Sequence, residues 1–259
     1  MSKKTFMSIL AIILALLLII AVIIPSGDSD EPEQSKEPKH EKTSKSEPTP
    51  EPTPEPTPTP TPKPTPTMAP DGYFSDALFI GDSRMEGVKL CAELEGATYF
   101  CSVGMSVIGV LREQASVPNV GTVYLSGLME SRSFGKVYIM LGINDIGGDL
   151  DYVAGRYKDV VDTVRATLPD AIIYICSNLH VTAGTNTYGV INNTNLDRFT
   201  ELIKAFANDE DIFFLDVNQC FDGPDGTLDP ARSPDGVHLY ADGYKAWGEW
   251  FRENAIVLN

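Results

Sequence analysis

Five short apolar runs recur between residues 77 and 217, and they most constrain the fold of this chain. Such runs are too short to be helices and are typical of strands buried on both faces of a parallel sheet. Segments with helical periodicity lie between the last three of these apolar runs, so we expect an α/β domain with helices on both faces of the sheet. The runs are residues 77–80, 99–103, 136–141, 171–176 and 212–217.

The helical segments each place their apolar residues on one face. We interpret the aromatic stripe of the last one, which begins near Ala241, as core packing rather than a platform for sugars. Residues 112–135 lack clear periodicity, and we expect a loop there with a short helix near 125–130. The three apolar faces are Val153, Tyr157, Val160, Val161, Val164 and Leu168; then Leu196, Phe199, Leu202, Ile203 and Phe206; and finally Tyr244, Trp247, Phe251 and Ala255.

The first 25 residues predict a transmembrane signal anchor. The stretch from 5 to 24 carries no charge and, as a helix, would span roughly 30 Å of hydrocarbon. Lys3 and Lys4 precede it and acidic residues follow it, which places the amino end in the cytoplasm and the rest of the chain outside the cell. We favour an uncleaved anchor over a removed signal peptide, because no convincing small-residue cleavage site follows.

Residues 26–70 predict a disordered spacer. Residues 1–70 contain 14 of the 19 prolines, and Thr-Pro and Glu-Pro repeats favour extended polyproline II. At about 3.1 Å per residue, such a spacer reaches on the order of 140 Å. Residues 71–259 remain for one globular domain.

The first apolar run leads directly into Gly81-Asp82-Ser83. In open α/β sheets, ligands bind outside the carboxyl ends of the strands, so Ser83 is well placed to be a nucleophile. Helix capping is the alternative explanation, since Asp and Ser are preferred N-cap residues. The same tripeptide recurs at 27–29 in the spacer without a strand before it, so the tripeptide alone is weak support.

Polar residues that suit acyl transfer follow other strands of the predicted sheet. Because parallel strands share one carboxyl edge, Ser83, Gly104, Asn144 and His238 are expected to converge. Histidine is the usual base for a serine hydroxyl, so His238 can take the serine proton, and Asp235 can accept the other ring N–H. The backbone N–H groups of Ser83 and Gly104, with the Asn144 amide, would stabilise the oxyanion. Each residue taken alone has a simpler reading as a turn, cap or surface residue.

Taken together, these blocks resemble the SGNH hydrolases, also called the GDSL family of esterases and lipases. The resemblance spans residues 71–259 and implies a three-layer α/β/α sandwich with a five-stranded parallel sheet in flavodoxin-like order. It implies Ser83, Asp235 and His238 as catalytic residues, Ser83, Gly104 and Asn144 as the oxyanion hole, and neither metal nor cofactor. Arg84 stands where the family name has leucine, a difference that bears on the substrate more than on activity.

The remaining histidines and the cysteines receive weaker interpretations. His40 lies in the spacer and is not a candidate. His180 follows the fourth strand of the sheet and is either a substrate contact or a residue without a catalytic role, the latter being favoured. The cysteines are even in number, which permits disulfides outside the cell, but two of them lie in predicted strands and favour free thiols. They are Cys91, Cys101, Cys176 and Cys220.

The charge of residues 71–259, a net −14, argues against nucleic acid as a partner. The leading hypothesis is therefore a membrane-anchored extracytoplasmic serine esterase that removes short acyl groups, acetyl above all, from envelope or extracellular glycans. Three alternatives stay open: acyl transfer to a wall polysaccharide through the same serine intermediate, a lipase or lysophospholipase activity, and, least favoured, a non-catalytic binding domain.

Overall fold

The computed structural model describes residues 64–186 and 189–258. The anchor and nearly all of the spacer inferred from the sequence lie outside the described residues. Among the helices of the described part, none is both long and apolar enough to cross a membrane.

A five-stranded parallel sheet forms the centre of the domain. Strands β1, β2, β5, β6 and β7 pair in the order β2-β1-β5-β6-β7, which confirms the expected fold class and the flavodoxin-like order. Each strand coincides with one of the five apolar runs. In chain order the strands are β1 (Ala77–Gly81), β2 (Thr98–Cys101), β3 (Gln114–Val117), β4 (Gly121–Tyr124), β5 (Lys136–Met140), β6 (Ile172–Cys176) and β7 (Ile212–Leu215).

Helices cover both faces of the sheet and divide the core into two layers. Leu78 and Ile80 of β1 lie in one buried cluster, and Ala77 and Phe79 lie in the other, as the alternation of side chains along a strand requires. The first cluster includes α3 and α5, and the second includes α1 and α7. The helices are α1 (Ser83–Cys91), α2 (Leu125–Ser131), α3 (Leu150–Thr167), α4 (Ala183–Asn186), α5 (Asn193–Lys204), α6 (Asn218–Phe221) and α7 (Ala241–Glu253), with 3₁₀ turns at Ile143–Asp145 and Pro230–Arg232.

The apolar faces predicted for the helices are the faces that pack. All six predicted residues of the α3 face are buried. The α5 face is buried at its centre, while Leu202 and Phe206 pack at the margin of the core. The four predicted residues of the last segment are also buried, although Ala255 lies beyond the end of α7.

One aromatic side chain from each sheet strand forms a continuous row beneath α1 and α7. Neighbouring ring centroids lie 5.1, 4.4, 4.3 and 6.1 Å apart across the sheet, and the rings occupy paired register positions. Phe251 of α7 packs edge-on against this row. Such contacts bury large apolar areas and fix the position of α7, which begins at Ala241. The row is Tyr99, Phe79, Tyr138, Tyr174 and Phe213.

Strands β3 and β4 form an antiparallel hairpin that the sequence interpretation missed. Residues 112–135 were expected to be a loop with a short helix; the helix is confirmed as α2, but the loop contains this hairpin. The four residues of β3 alternate between exposed and buried. That alternation was too short to distinguish from a loop in the sequence.

Residues just before 71 already pack on the domain. Thr67 exchanges backbone hydrogen bonds with Ala255, and the N–H of Ala69 donates to the carbonyl of Arg252. The chain therefore enters the domain beside the carboxyl end of α7. Since α7 starts near His238 and is 13 residues long, this entry lies about 20 Å along the helix from His238.

Candidate active site

Ser83 lies where β1 turns into α1. Asp82 is the N-cap of the helix, and its carboxylate accepts the N–H of Arg84 at 2.9 Å. Gly81 allows the tight turn, because a Cβ there would lie 2.5 Å from the Cβ of Met85 and 2.9 Å from the carbonyl oxygen of Met140. Ser83 is thus held at the carboxyl edge of the sheet, with its N–H at the open end of the helix.

Ser83, His238 and Asp235 form a continuous hydrogen-bonded row. The Ser83 Oγ lies 2.8 Å from the His238 Nε2, and the His238 Nδ1 lies 2.7 Å from the Asp235 Oδ2. An ionised carboxylate can only accept, so Nδ1 carries the proton and donates to Asp235. The lone pair of Nε2 then faces the serine hydroxyl, which is the arrangement that a general base requires.

The turn that carries His238 is stabilised by the same aspartate. Asp235 Oδ1 accepts the backbone N–H groups of Val237 at 2.9 Å and His238 at 2.8 Å. Burial raises the pKa of Asp235, but the hydrogen bonds from His238 and Val237 outweigh it and lower the pKa to about 2. The carboxylate is therefore ionised throughout the range in which histidines ordinarily titrate.

Neighbouring residues fix this catalytic loop in place. The Ser233 hydroxyl donates to the His238 carbonyl at 2.6 Å and accepts the N–H of Gly236 at 2.8 Å. The N–H of Thr182, from the segment after β6, donates to the Gly236 carbonyl at 3.0 Å. These contacts hold the imidazole over Ser83.

The two further residues proposed for the oxyanion hole lie on loops that are tied together. Gly104 has φ +80°, and no heavy atom outside its chain neighbours lies within 4 Å of where its Cβ would be. The Asn144 side-chain amide donates one N–H to the Met105 carbonyl at 2.9 Å. Asp145 accepts the N–H of Val107 at 2.8 Å. The Asn144 Nδ2 carries a second N–H, which is the one that the oxyanion assignment requires.

Both ring nitrogens of His180 are already engaged. Nδ1 lies 2.8 Å from an Asp222 oxygen and Nε2 lies 2.9 Å from an Asp197 oxygen, with the side chain 14% exposed. The backbone N–H of His180 donates to Asn218 at 2.7 Å. Neither nitrogen is left to contact a substrate, so the structure favours the reading without a catalytic role.

A cleft of about 770 Å³ lies at the opposite edge of the sheet, where Asp76, Phe134 and Ala171 contribute to its lining. None of its lining residues is a histidine, and none belongs to the row of Ser83, His238 and Asp235. The chemistry of the side chains, and not cavity size, therefore locates the candidate site.

The profile of the GDSL-like lipase/acylhydrolase family matches residues 79–246, which is more than half of the chain and includes every residue of the candidate site. The chain belongs to this family. It is a serine ester hydrolase, and its described domain is the family's α/β/α sandwich.

Solved structures share the fold of this GDSL-family hydrolase. A candidate platelet activating factor from Streptococcus pneumonia is 23% identical, with a TM-score of 0.56 over 68% of this chain and 82% of that one. A candidate acylhydrolase from Bacteroides fragilis is 19% identical, with a TM-score of 0.51 over 72% of this chain and 86% of that one. A GDSL-like lipase from Bacteroides thetaiotaomicron is 18% identical, with a TM-score of 0.50 over 70% of this chain and 87% of that one. Among curated proteins, no relative matches the sequence.

Two features of the hydrolase site were not foreseen. Asp145 supports the Gly104 loop, and burial raises its pKa while the N–H groups of Val107 and Ile108 oppose this. Arg84, expected to bear on the substrate, is fully buried and does not reach the surface of the groove.

Within the described ranges, no cluster of three or more metal-ligating side chains occurs, and the four cysteines are free thiols.

Removal of the Asn144 amide is expected to slow ester hydrolysis by about a hundred- to a thousandfold in kcat, because an oxyanion donor acts mainly in the transition state. The measurement is steady-state hydrolysis of p-nitrophenyl acetate by Asn144→Ala. Asn195→Ala is the matched control, since that amide also donates to loop carbonyls, of Ile146 and Val190, and is expected to change kcat less than about threefold. Equal effects of the two variants would contradict the oxyanion assignment.

Proposed function

We propose that this GDSL-family hydrolase is an extracytoplasmic esterase that removes short acyl groups, acetyl above all, from envelope or extracellular glycans. The observation that carries the catalytic part is the row Ser83–His238–Asp235, with its contacts of 2.8 and 2.7 Å. The proposals of a short acyl group and of a glycan substrate are supported by the exposure of the site and by its position in the domain.

The mechanism follows from the contacts. Ser83 Oγ attacks the acyl carbonyl while His238 Nε2 takes the hydroxyl proton, and Asp235 stabilises the resulting imidazolium. The oxyanion is stabilised by the N–H groups of Ser83 and Gly104 and by the Asn144 amide. His238 then protonates the leaving alcohol. In the second half, it deprotonates water, which attacks the acyl-serine and releases the carboxylic acid.

The openness of the site favours a short acyl group on a bulky polar alcohol. The side chains of His238 and Asp235 are 35% and 51% exposed, so the base lies at a shallow rim. A long acyl chain gains affinity only where an apolar channel removes it from water. An acetyl group needs no such channel, and an open rim leaves space for a sugar chain.

The position of the domain entry and the charge of the domain both bear on where a substrate lies. The chain enters the domain through the contacts of Thr67 and Ala69 near the carboxyl end of α7, at the far end of that helix from His238. The entry contacts are thus separated from His238 by the length of α7. The net −14 charge of residues 71–259 also disfavours close approach to anionic lipid headgroups.

An acyl chain-length series tests the substrate proposal. The full chain, purified in detergent, is expected to hydrolyse p-nitrophenyl acetate with kcat/KM at least about tenfold above that for the octanoate, and the octanoate above the palmitate. Acetylated oligosaccharides are expected to release acetate. Cleavage of long-chain esters alone would contradict the proposal and favour the lipase alternative. Acyl transfer to an added oligosaccharide in excess of hydrolysis would identify the transferase alternative.

A further inference from the structure

The helix that carries the nucleophile and the helix that follows the catalytic base are in direct contact at two glycines. In α1, a Cβ at Gly87 would lie 2.2 Å from the Cζ and 2.5 Å from both Cε atoms of Tyr244 in α7. In α7, a Cβ at Gly248 would lie 2.2 Å from the carbonyl oxygen of Ala92, the C-cap of α1. The phenol end of Tyr244 therefore lies directly across the backbone of α1, where only a glycine leaves space for it.

The Tyr244 contact lies one helical turn along α1 from the nucleophile. Gly87 is four residues after Ser83, so the two residues share one face of the helix. Tyr244, in turn, is six residues after His238. The stretch from His238 to Tyr244 thus touches α1 twice, at the Ser83 hydroxyl through a 2.8 Å contact and at Gly87 through the ring. At a rise of about 1.5 Å per residue, the two contact points are about 6 Å apart along α1.

Contacts within this stretch leave it little freedom. The N–H of Tyr240 donates to the carbonyl of Arg232 at 3.0 Å, and the Tyr240 carbonyl accepts the N–H of Tyr244 at 3.2 Å. Leu239, the residue next to His238, is buried in the core. We therefore expect a displacement of Tyr244 to be transmitted to His238 and not absorbed between them.

The Tyr244 ring is packed on its other side as well. The residue is only 6% exposed, and its ring is parallel to that of Trp247, with centroids 6.2 Å apart. Trp247 is completely buried and packs against Phe221 and Phe251. A well-packed interior does not accept an added methyl group without shifts of side chains or backbone. A methyl group at Gly87 would thus push the ring, and with it the start of α7, away from α1.

We propose that Tyr244 is a positioning residue for the catalytic base: its ring, packed on Gly87, sets the distance between the His238 Nε2 and the Ser83 Oγ. Tyr244 takes no part in the proton transfer itself and acts through His238. The inference rests on the serine mechanism proposed above, because it concerns the transfer of the Ser83 proton. A misplacement of a catalytic group by about 1 Å is enough to slow a reaction about a hundredfold.

The test is Gly87→Ala in the full chain in detergent, with the rate and the final extent of fluorophosphonate labelling of Ser83 as readouts. Alanine favours a helix more than glycine does, so a loss is not due to helix propensity. We expect labelling to slow about ten- to a hundredfold but still to reach one adduct per chain. Because His238 serves both half-reactions, kcat for p-nitrophenyl acetate is expected to fall equally while KM changes less than about threefold.

Gly155→Ala is the matched control for this variant. Gly155 lies within α3, and nothing outside the neighbouring backbone lies within 4 Å of where its Cβ would be. The same substitution in a helix without a packed ring is expected to change neither the labelling rate nor kcat.

A smaller side chain at position 244 tests the same contact from the other helix. Tyr244→Leu alone is expected to slow labelling about tenfold, because the first turn of α7 loses its support on α1. Combined with Gly87→Ala, it is expected to label at least as fast as Tyr244→Leu alone, because leucine leaves space for the methyl group. Independent effects of the two substitutions would instead multiply and would contradict the proposal.

The outcomes separate this inference from the proposed function. Slow but complete labelling of Gly87→Ala supports the inference, whereas labelling at the wild-type rate, or a reduced final extent that indicates partial unfolding, overturns it. If circular dichroism shows that Gly87→Ala does not fold, Tyr244→Leu decides by the same two readouts. Failure of both to fold overturns the inference in favour of a purely structural contact. In all these cases wild-type labelling leaves the serine mechanism standing, while absence of wild-type labelling removes the function itself.

Discussion

Ser83→Ala is expected to lower kcat/KM for p-nitrophenyl acetate by about 10⁴- to 10⁶-fold, with the fold unchanged. Ser83 is half-buried, and its hydroxyl contacts His238 and makes no contribution to the sheet or to the aromatic row. Its removal therefore deletes the atom that forms the acyl intermediate and little else. The measurements are the hydrolysis rate, which checks the loss of kcat/KM, and circular dichroism, which checks the fold, each for the purified full chain with and without the substitution.

The chain contains its own control for this variant. Gly27-Asp28-Ser29 repeats the tripeptide of the site in the predicted spacer. Ser29→Ala is expected to leave kcat/KM within about twofold of wild type, since the sequence predicts that Ser29 lies in the spacer, outside the hydrolase domain. Residual activity of Ser83→Ala within tenfold of wild type would show that another residue is the nucleophile.

His238→Ala is expected to abolish measurable ester hydrolysis, with a loss of about 10⁴-fold or more, because no other base lies within hydrogen-bonding distance of the Ser83 Oγ among the described residues. His180→Ala is the matched control, since its ring lies between Asp222 and Asp197. We expect it to retain most activity. The reverse ranking of the two variants would overturn the assignment of the base.

The pH dependence of the wild type provides a further check on the same row. The Asp235 pKa of about 2 means that this carboxylate stays ionised well below neutral pH. Any loss of activity above about pH 4 is therefore not expected to come from protonation of Asp235. In the folded state, the stabilising contribution of Asp235 is present at neutral pH and is lost only as the pH falls from about 4 towards 2.

The sheet could be predicted from the sequence because its strands are buried on both faces. Uninterrupted apolar runs such as 172–176 are visible without knowledge of their partners, and so is the α3 face. The β3–β4 hairpin was missed because each strand has only four residues and β4 is mostly exposed, so neither carries a strong apolar pattern. The packing of Thr67 on the domain could not be predicted either, because it depends on backbone hydrogen bonds that amino-acid composition does not reveal.

The candidate site could be predicted because its residues follow strands that end at one edge. The contacts of Ser83, His238 and Asp235 agree with that expectation. The supporting residues could not be predicted, because their roles depend on which loops meet. Nothing in the sequence indicates that Asp145 reaches the N–H of Val107, or that Arg84 points into the core while Ser83 faces the groove.

The central claim is that the row of contacts makes Ser83, and no other serine, reactive. The most direct measurement is mass spectrometry of the full chain after treatment with a fluorophosphonate, followed by peptide mapping. We predict a single adduct on Ser83 that forms at least about a hundredfold more slowly in His238→Ala. No adduct, an adduct on another serine, or labelling of Ser83 at the same rate without His238 would contradict the account.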